Sequence, residues 1–432
     1  MKTTPLERWI RERTALKSSS QEALQAYQLG EIQKTLTYAK EKSRFYQSAL
    51  SDIDLNVIKT LKDFERIPFT TPEDIKQSAH DFVCVPSSDI ERIVTLNTSG
   101  TTGDEKRLFF THEDLEATID FFQYGMNCLV DENDKVMVLL PGPSNASIGD
   151  LLQQALSRSN IKCVVHGLLT DVEKTAQCIE EHKITCIVGI PMQVLYLSKL
   201  KPELFYTHIK KVLLSTDYVP DALVEALSKD GACKVYNHYG MTEMGYGGGV
   251  ECECLNGYHL RENHLYFEII DPMTGEPVQD GEYGEVVFTT FNRQAMPLIR
   301  YRTGDIARFS TKPCACGTFL RTMEKVRGRI ENKVCIHGHE MHLRDFDEIL
   351  LRFAPIVDYT LNVCENDVVH ITCIVSSKEA YEKSEQEMIR HIRERFSFGF
   401  TLSLEGVEDD YSPKITNSMI KRKLRDSRGD KR

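Results

Sequence analysis

Short apolar runs alternate with amphipathic stretches through the central part of the chain. The first 90 residues are mostly polar and typical of helices, and from residue 93 a repeat of strand, loop and helix begins. The sequence Thr111-His112-Glu113-Asp114 predicts a helix N-cap with acidic residues in its first turn. Strands are predicted at 93–96, 135–140, 162–166, 185–190, 211–215 and 234–237, and helices at 171–182 and 220–228. This alternation predicts a largely parallel sheet that helices cover.

The pattern changes after Gly245. Glycine, proline and alternating polar and apolar residues predict antiparallel strands at 282–290 and 298–309, joined by tight turns. The predicted fold class is therefore α/β. A large N-terminal domain over residues 1–327 would hold a mostly parallel sheet with helices and a β-rich subdomain, and a small α/β C-terminal domain would span residues 328–432. The basic ending at 420–425 is predicted to be solvated.

Composition narrows the classes of partner. A chain of 432 residues is longer than the chains that usually fold around one hydrophobic core, so two or three domains are expected. Its net charge of −11 argues against nucleic acid and anionic membranes as main partners. The N-terminus has no apolar segment typical of a secretory signal, and no apolar run approaches the roughly 20 residues that cross a bilayer. Thirteen cysteines in such a chain favour reduced thiols and a metal site, and we expect a cytoplasmic protein.

A loop rich in glycine and hydroxyl residues follows the first predicted strand. Glycine lets backbone N–H groups point at an anion, and Ser and Thr hydroxyls add donors. The candidate phosphate-binding residues are Thr98, Ser99, Gly100, Thr101, Thr102, Gly103 and Lys106. The spacing of a Walker loop is absent. The loop predicts a site for nucleotide phosphates, with a solvated surface turn as the alternative.

Three further motifs follow the loop in order: Tyr239-Gly240-Met241-Thr242-Glu243, Tyr301-Arg302-Thr303-Gly304-Asp305 and Gly328-Arg329-Ile330-Glu331. Together with the loop, they resemble the motifs of the adenylate-forming superfamily of acyl-CoA synthetases and adenylation domains. The segments 267–277 and 295–305 are characteristic of its phenylacetate-CoA ligase-like branch. The resemblance spans about residues 60–425, and it implies an ATP- and acid-binding N-terminal domain followed by a mobile C-terminal domain.

The resemblance implies a role for each motif. Lys106, Thr242 and Glu243 would be catalytic. Lys106 and its loop would contact the β- and γ-phosphates, Thr242 the α-phosphate, and Glu243 a Mg²⁺ ion, which prefers carboxylate and phosphate oxygens. Tyr239 would stack on adenine, and Asp305 would accept both ribose hydroxyls. Taken singly, Tyr239 is more readily interpreted as a core aromatic, and Glu243 as a solvated charge. The other ATP- or AMP-binding residues implied are Gly240, Met241, Ser215, Thr216, Asp217 and Arg329.

The C-terminal part matches the family pattern at one position and departs from it at another. Glu331 stands where the family has an acidic hinge residue, which is the match. The last family motif reads roughly P-[KR]-T-x-[SG]-G-K, and its lysine bridges the acid's carboxylate and the α-phosphate. Here Met419 occupies that lysine's position, and a thioether carries no charge. Either Lys414 or Lys421 replaces the lysine, or adenylation is slow, or the chain binds its ligands without full catalysis.

Cysteine spacing predicts a zinc site. Two short-spaced clusters some 60 residues apart suit a tetrahedral structural zinc with nitrogen and sulfur ligands. The favoured ligands are Cys252, His259, Cys314 and Cys316, and Cys254 is the alternative to either upstream ligand. Some relatives of phenylacetate-CoA ligase carry a similar pattern, which the resemblance identifies as a zinc site. Unliganded buried thiols are the other interpretation.

Three functions remain open from the sequence. The leading hypothesis is an AMP-forming ligase that converts ATP and a carboxylic acid, aryl or other acyl, into acyl-AMP and pyrophosphate, and then acylates coenzyme A. The second hypothesis replaces coenzyme A by a carrier protein or an amine. The third, motivated by Met419, is a nucleotide-binding protein with impaired adenylation. The implied cofactors are ATP, Mg²⁺, coenzyme A and structural Zn²⁺, and a homodimer is left open.

Overall fold

A computed structural model describes residues 3–96, 105–142, 144–229, 231–396, 399–404, 422 and 424–428. The chain divides into two compact units of three segments each. Unit 1 comprises Met1–Asp131, Ser144–Asn160 and His238–Lys325, and unit 2 comprises Glu132–Pro143, Ile161–Asn237 and Val326–Arg432. The domain boundary predicted between residues 327 and 328 stays a prediction.

The helices begin at the caps that the sequence supplies. Thr111, for example, accepts a hydrogen bond from the Asp114 backbone N–H at 3.2 Å, and the Asp114 carboxylate accepts one from the Thr111 N–H at 3.1 Å. No helix in the described residues is long and apolar enough to span a membrane. The helices are α1 Pro5–Thr14, α2 Gln21–Lys42, α3 Arg44–Ala49, α4 Leu61–Phe64, α5 Pro72–Ser78, α6 His112–Met126, α7 Ile148–Ser157, α8 Val172–His182, α9 Pro191–Leu200, α10 Pro202–His208, α11 Asp221–Ser228, α12 Leu343–Leu350 and α13 Lys378–Arg395.

The strands alternate with these helices in the centre of the chain and follow one another directly after residue 245. They are β1 Arg92–Leu96, β2 Lys106–Phe110, β3 Lys135–Leu139, β4 Lys162–Val165, β5 Cys186–Gly189, β6 Lys211–Leu214, β7 Lys234–Tyr239, β8 Gly249–Glu251, β9 Tyr258–Leu260, β10 Leu265–Ile270, β11 Gly284–Thr290, β12 Tyr301–Ala307, β13 Thr322–Met323, β14 Gly328–Arg329, β15 Lys333–Ile336, β16 His339–His342, β17 Ile356–Val363, β18 Val369–Val375, β19 Phe400–Leu404 and β20 Leu424–Asp426. The α/β fold class is confirmed.

Unit 2 contains the predicted parallel sheet. Its strands are hydrogen-bonded in the order β4-β3-β5-β6-β7, and every neighbouring pair is parallel. A second sheet has the order β19-β18-β17-β20. The strands that were expected at 135–140, 162–166, 185–190, 211–215 and 234–237 all form, with ends shifted by at most two residues. Continuous apolar runs in β3, β5 and β6 explain why these strands are buried on both faces.

Unit 1 contains the antiparallel part. The last residues of β7 pair with β8, β8 pairs with β9, and β9 pairs with β13. The strands β10, β11 and β12 form successive antiparallel pairs, and β1 and β2 form a hairpin. The antiparallel strands predicted at 282–290 and 298–309 correspond to β11 and β12.

A buried lysine joins two elements of unit 2. Lys199, near the end of α9, donates hydrogen bonds to the backbone carbonyls of Leu351, Phe353 and Ile356, which follow α12. Burial lowers the pKa of Lys199 to about 7. Its three hydrogen bonds connect α9 to the segment between α12 and β17.

The C-terminal basic residues are not all solvated, so that prediction is wrong at Arg422. This side chain is only 5% exposed. Its guanidinium forms ion pairs with Asp347 and Asp358, both fully buried. The hydroxyl of Tyr359 also donates to Asp347, at 2.6 Å. Burial of Arg422 depends on two acids more than 60 residues earlier in the chain, which local charge could not reveal.

Candidate active site

Lys106 is positioned by the β1–β2 hairpin of unit 1. It is the first residue of β2, and the hairpin register sets it opposite Leu96. The two ends of the glycine-rich loop are therefore held side by side. The loop residues Thr98, Ser99, Gly100, Thr101, Thr102 and Gly103 lie outside the described residues.

Glu243 lies in a short 3-10 turn, Thr242–Met244, directly after β7. The carbonyl of Met241, just before the turn, accepts backbone hydrogen bonds from Met244 at 3.0 Å and from Tyr246 at 2.9 Å. Gly240 is required before it, because a Cβ there would stand 2.2 Å from the Tyr246 carbonyl oxygen. Met241 and Thr242 are half-buried, whereas Glu243 is 3% exposed.

Strand β12 supplies two further polar groups. Its residues are alternately buried and half-buried, so that Tyr301, Thr303 and Asp305 share the buried face. The Asp305 backbone N–H donates to the Thr303 hydroxyl at 3.0 Å. A strand with this period fixes the spacing between the Tyr301 and Asp305 side chains.

Lys106, Glu243 and Tyr301 meet in one buried cluster. The Lys106 ammonium forms an ion pair with the Glu243 carboxylate. The Tyr301 hydroxyl lies 3.2 Å from both Lys106 Nζ and Glu243 Oε1. The side chains of Lys106 and Glu243 are 12% and 3% exposed, so little water screens their charges. No role was predicted for Tyr301, although its two-residue period with Asp305 was a usable signal.

Tyr239 and Asp305 form a second contact in unit 1. The Tyr239 hydroxyl donates to Asp305 Oδ2 at 3.0 Å, and both side chains are 6% exposed. The Tyr239 ring also packs at 5.7 Å from the ring of Tyr258. The end of β7 and the centre of β12 therefore bring together an aromatic ring and a carboxylate from separate sequence motifs.

The other predicted nucleotide-binding residues belong to unit 2. Ser215, Thr216 and Asp217 follow β6, and Thr216 has a strained φ of +78°. Asp217 accepts hydrogen bonds from the Tyr218 N–H at 2.9 Å and the Arg422 N–H at 3.4 Å. Burial raises the pKa of Asp217 to about 6. Arg329 is exposed in β14, and the hinge candidate Glu331 is exposed in the turn after it.

Three residues near the C-terminus were considered for the position of the family lysine. Lys414, Met419 and Lys421 all lie outside the described residues.

Four side chains in unit 1 are arranged as metal ligands. The ligand atoms of Cys252, His259, Cys314 and Cys316 all lie within 4.8 Å of one another. Cys252 Sγ is 3.7 Å from Cys314 Sγ, and Cys316 Sγ is 3.4 Å from His259 Nε2. Cys254 is exposed, and its backbone N–H donates to Cys252 Sγ at 3.4 Å.

Most of the chain before residue 293 matches a known family. The profile of the AMP-binding enzyme family matches residues 19–292, which is more than half of the chain. The chain belongs to this family of AMP-binding enzymes.

Its relatives define the branch. The chain is 26% identical to a phenylacetate-coenzyme A ligase of Thermus thermophilus, over 96% of this chain and 92% of the relative. It is 27% identical to the phenylacetate-coenzyme A ligase of Escherichia coli, over 78% of each chain. These matches confirm the predicted resemblance to the adenylate-forming superfamily and its phenylacetate-CoA ligase-like branch.

The fold has a counterpart among solved structures. A 2-hydroxyisobutyryl-CoA ligase in its postadenylation state, in complex with 2-HIB-AMP, matches with a TM-score of 0.81. The match covers 94% of this chain and 90% of that chain at 19% sequence identity. At this identity the likeness supports the fold.

Proposed function

We propose that this protein is an AMP-forming ligase that activates a carboxylic acid with ATP and transfers the acyl group to coenzyme A. The observation that carries the proposal is the buried Lys106–Glu243–Tyr301 cluster, which joins three of the family motifs in unit 1. The relatives named above as phenylacetate-coenzyme A ligases support this reaction class.

The proposed reaction has two balanced steps. An oxygen of the acid's carboxylate forms a bond to the α-phosphorus of ATP, and the bond from that phosphorus to pyrophosphate breaks. The sulfur of coenzyme A then bonds to the acyl carbon, the bond from that carbon to the AMP oxygen breaks, and the thiol proton passes to solvent. Mg²⁺ would neutralise phosphate charge in the first step.

The described residues suit this chemistry. Glu243 offers a hard carboxylate oxygen of the kind that Mg²⁺ prefers, and Lys106 holds that carboxylate in place. The Lys106 ammonium would also stabilise negative charge on the phosphates. Thr242 is half-buried beside Glu243 and would donate to the α-phosphate. Asp305, held by the Tyr239 hydroxyl, would accept hydrogen bonds from the ribose hydroxyls.

ATP–pyrophosphate exchange tests the first step directly. We expect acid-dependent exchange by the wild-type protein with one class in a panel of aryl, fatty and amino acids. Met419→Lys should raise the rate by about 10²-fold, because a positioned ammonium stabilises developing charge on the α-phosphate. Each acid is measured with both proteins, and the acid that supports exchange identifies the substrate class.

The other outcomes separate the remaining hypotheses. Exchange restored only in Met419→Lys would mean that the natural chain has lost the first step. Silence in both proteins, with ATP binding in a calorimeter, would support a nucleotide-binding protein instead. Where exchange occurs, AMP release that requires coenzyme A identifies the acceptor, and release driven by a carrier protein or an amine supports the second hypothesis.

We also propose that Cys252, His259, Cys314 and Cys316 bind a structural zinc ion. Zn–S bonds of about 2.3 Å in a tetrahedron separate two sulfur atoms by about 3.8 Å, close to the distance between Cys252 and Cys314. Burial lowers the pKa of His259 to about 4, so its imidazole is neutral and able to bind a metal. All four ligand positions are then filled by the protein, which is typical of structural rather than catalytic zinc.

Metal analysis tests the zinc proposal. The purified protein should contain about one zinc per chain. Cys314→Ser should lose the metal and lower the melting temperature by about 5 °C or more, because zinc binding contributes free energy of folding. Cys254→Ser is the matched control and should keep both the zinc content and the melting temperature. Zinc-free wild-type protein, or loss of zinc from the Cys254 variant, would contradict the assignment.

A further inference from the structure

A small cavity lies in unit 1 beside the turn that carries Glu243. Its volume is about 30 Å³, more than the roughly 15 Å³ that one water molecule needs. Its charged and polar lining includes Asp114, Thr118, Arg261, His264 and Arg293, together with the backbone of Gly245. None of the proposed reaction steps uses this cavity.

Donor groups converge at Gly245. This residue has a φ of +71° and no side chain. The point where its Cβ would stand is 3.1 Å from Thr118 Oγ1, 3.3 Å from Arg293 Nη1 and 3.7 Å from Arg261 Nη1. Two guanidinium groups therefore face the same small space, which a larger residue at position 245 would fill.

Arg261 has neutral hydrogen-bond partners. Its Nε donates to His264 Nδ1 at 3.1 Å, and its Nη2 donates to the Ala117 carbonyl at 2.6 Å. Burial, with Arg261 beside it, holds the pKa of His264 well below its usual range, so the imidazole is uncharged. Burial and the nearby Arg293 lower the pKa of Arg261 to about 9, which leaves its guanidinium charged at neutral pH.

Arg293 is also incompletely satisfied. It is 8% exposed, and its Nε has no hydrogen-bond partner among the described residues. Asp114 Oδ2 is 3.6 Å away. The Asp114 carboxylate meanwhile accepts backbone N–H groups from Gln294 at 2.8 Å and Ala295 at 3.0 Å. Asp120 and Glu243 also attract these arginines, but each forms ion pairs with other cations, Asp120 with Arg13 and Arg158 and Glu243 with Lys106. Two buried guanidinium groups thus share one adjacent carboxylate, and the positive charge that this leaves in the cavity is costly without a further anion.

We propose that this cavity binds a small monovalent inorganic anion, such as chloride, between the guanidinium groups of Arg261 and Arg293. The anion would neutralise the excess charge and accept hydrogen bonds from both arginines. It would also fix Gly245, whose carbonyl accepts a hydrogen bond from Thr118 at 3.0 Å and whose N–H closes the Thr242–Met244 turn at 3.0 Å.

The single tryptophan of the chain reports on this cavity. Trp9 is 1% exposed, and its ring lies 5.4 Å from the ring of His264. Bromide is a heavy-atom quencher that fits a chloride site. In the wild-type protein without substrates, we expect bromide to quench Trp9 emission to a saturating level. Chloride should compete with this quenching, and gluconate at equal ionic strength should not.

Variants locate the anion. Arg261→Met should abolish the saturable quenching, whereas Arg308→Met, which removes a half-buried guanidinium of unit 1 paired with Glu324, should retain it. Quenching that rises linearly with bromide, or that chloride does not reverse, would overturn the proposal and leave a water-filled cavity only. If Arg261→Met fails to fold, anomalous diffraction from wild-type crystals soaked in bromide replaces the variant. A bromide peak between the two guanidinium groups would support the proposal, and its absence would overturn it. Because no substrate is present, the result is independent of the proposed ligase activity.

Discussion

Glu243→Gln is expected to lower the rate of acid-dependent ATP–pyrophosphate exchange by about 10³-fold. The substitution keeps the volume of the side chain and removes its negative charge. Mg²⁺ would then lose a carboxylate ligand, and the Lys106 ammonium would lose the partner that positions it. The measurement is the exchange rate of purified variants at saturating ATP, with the acid that the panel identifies.

A second buried glutamate of unit 1 provides the matched control. Glu262 is 5% exposed, and burial raises its pKa to about 7, so an uncharged amide should be tolerated there. Glu262→Gln should therefore leave the exchange rate within about twofold of wild type, since its environment already favours the neutral form. An exchange rate for Glu243→Gln within tenfold of wild type would contradict the assigned role.

Lys106→Met separates charge pairing from catalysis. Removing this cation leaves Glu243 as a buried carboxylate without its ion-pair partner, which should lower the free energy of unfolding by about 3 kcal/mol. The double variant Lys106→Met/Glu243→Gln should regain most of that stability and none of the exchange activity. A double variant that regained exchange would show that the pair is structural.

The sequence alone was sufficient to predict the part of the fold in which strands and helices alternate. The strands β3, β5 and β6 of the parallel sheet are short apolar runs, so their burial is encoded locally. The strand predicted at 135–140, for instance, forms as Lys135–Leu139. The helix predicted after Thr111 starts there because the Thr111 and Asp114 side chains cap it.

Long-range contacts could not be predicted from local pattern. The Tyr301 hydroxyl meets Lys106 only because strands almost 200 residues apart in sequence lie together in unit 1. The positive charge at Arg261 and Arg293 likewise depends on tertiary packing, because the sequence does not show which carboxylates lie beside them. Local sequence gives the type of a side chain, whereas its partners depend on tertiary packing.

Arg422→Met is expected to lower the free energy of unfolding by about 3–5 kcal/mol. The guanidinium is the cation that forms ion pairs with Asp347 and Asp358, and both of these carboxylates are fully buried. Methionine preserves the apolar stem and its packing near the Tyr359 ring, which lies 4.5 Å from the guanidinium carbon. Urea unfolding followed by circular dichroism measures the loss.

The pH dependence of this loss identifies its cause. Burial raises the pKa of Asp217 to about 6, and the nearby Arg422 opposes that rise. Without the cation the pKa of Asp217 rises further above its unfolded value, so the folded variant binds more protons than the unfolded chain does. The stability of the variant should therefore rise as the pH falls from 8 to 5, and its difference from wild type should shrink. Arg425→Met, at an exposed position of β20 in the same segment, should change stability by less than about 0.5 kcal/mol. A deficit in Arg422→Met that did not change with pH would mean that lost packing, rather than uncompensated charge, destabilises unit 2.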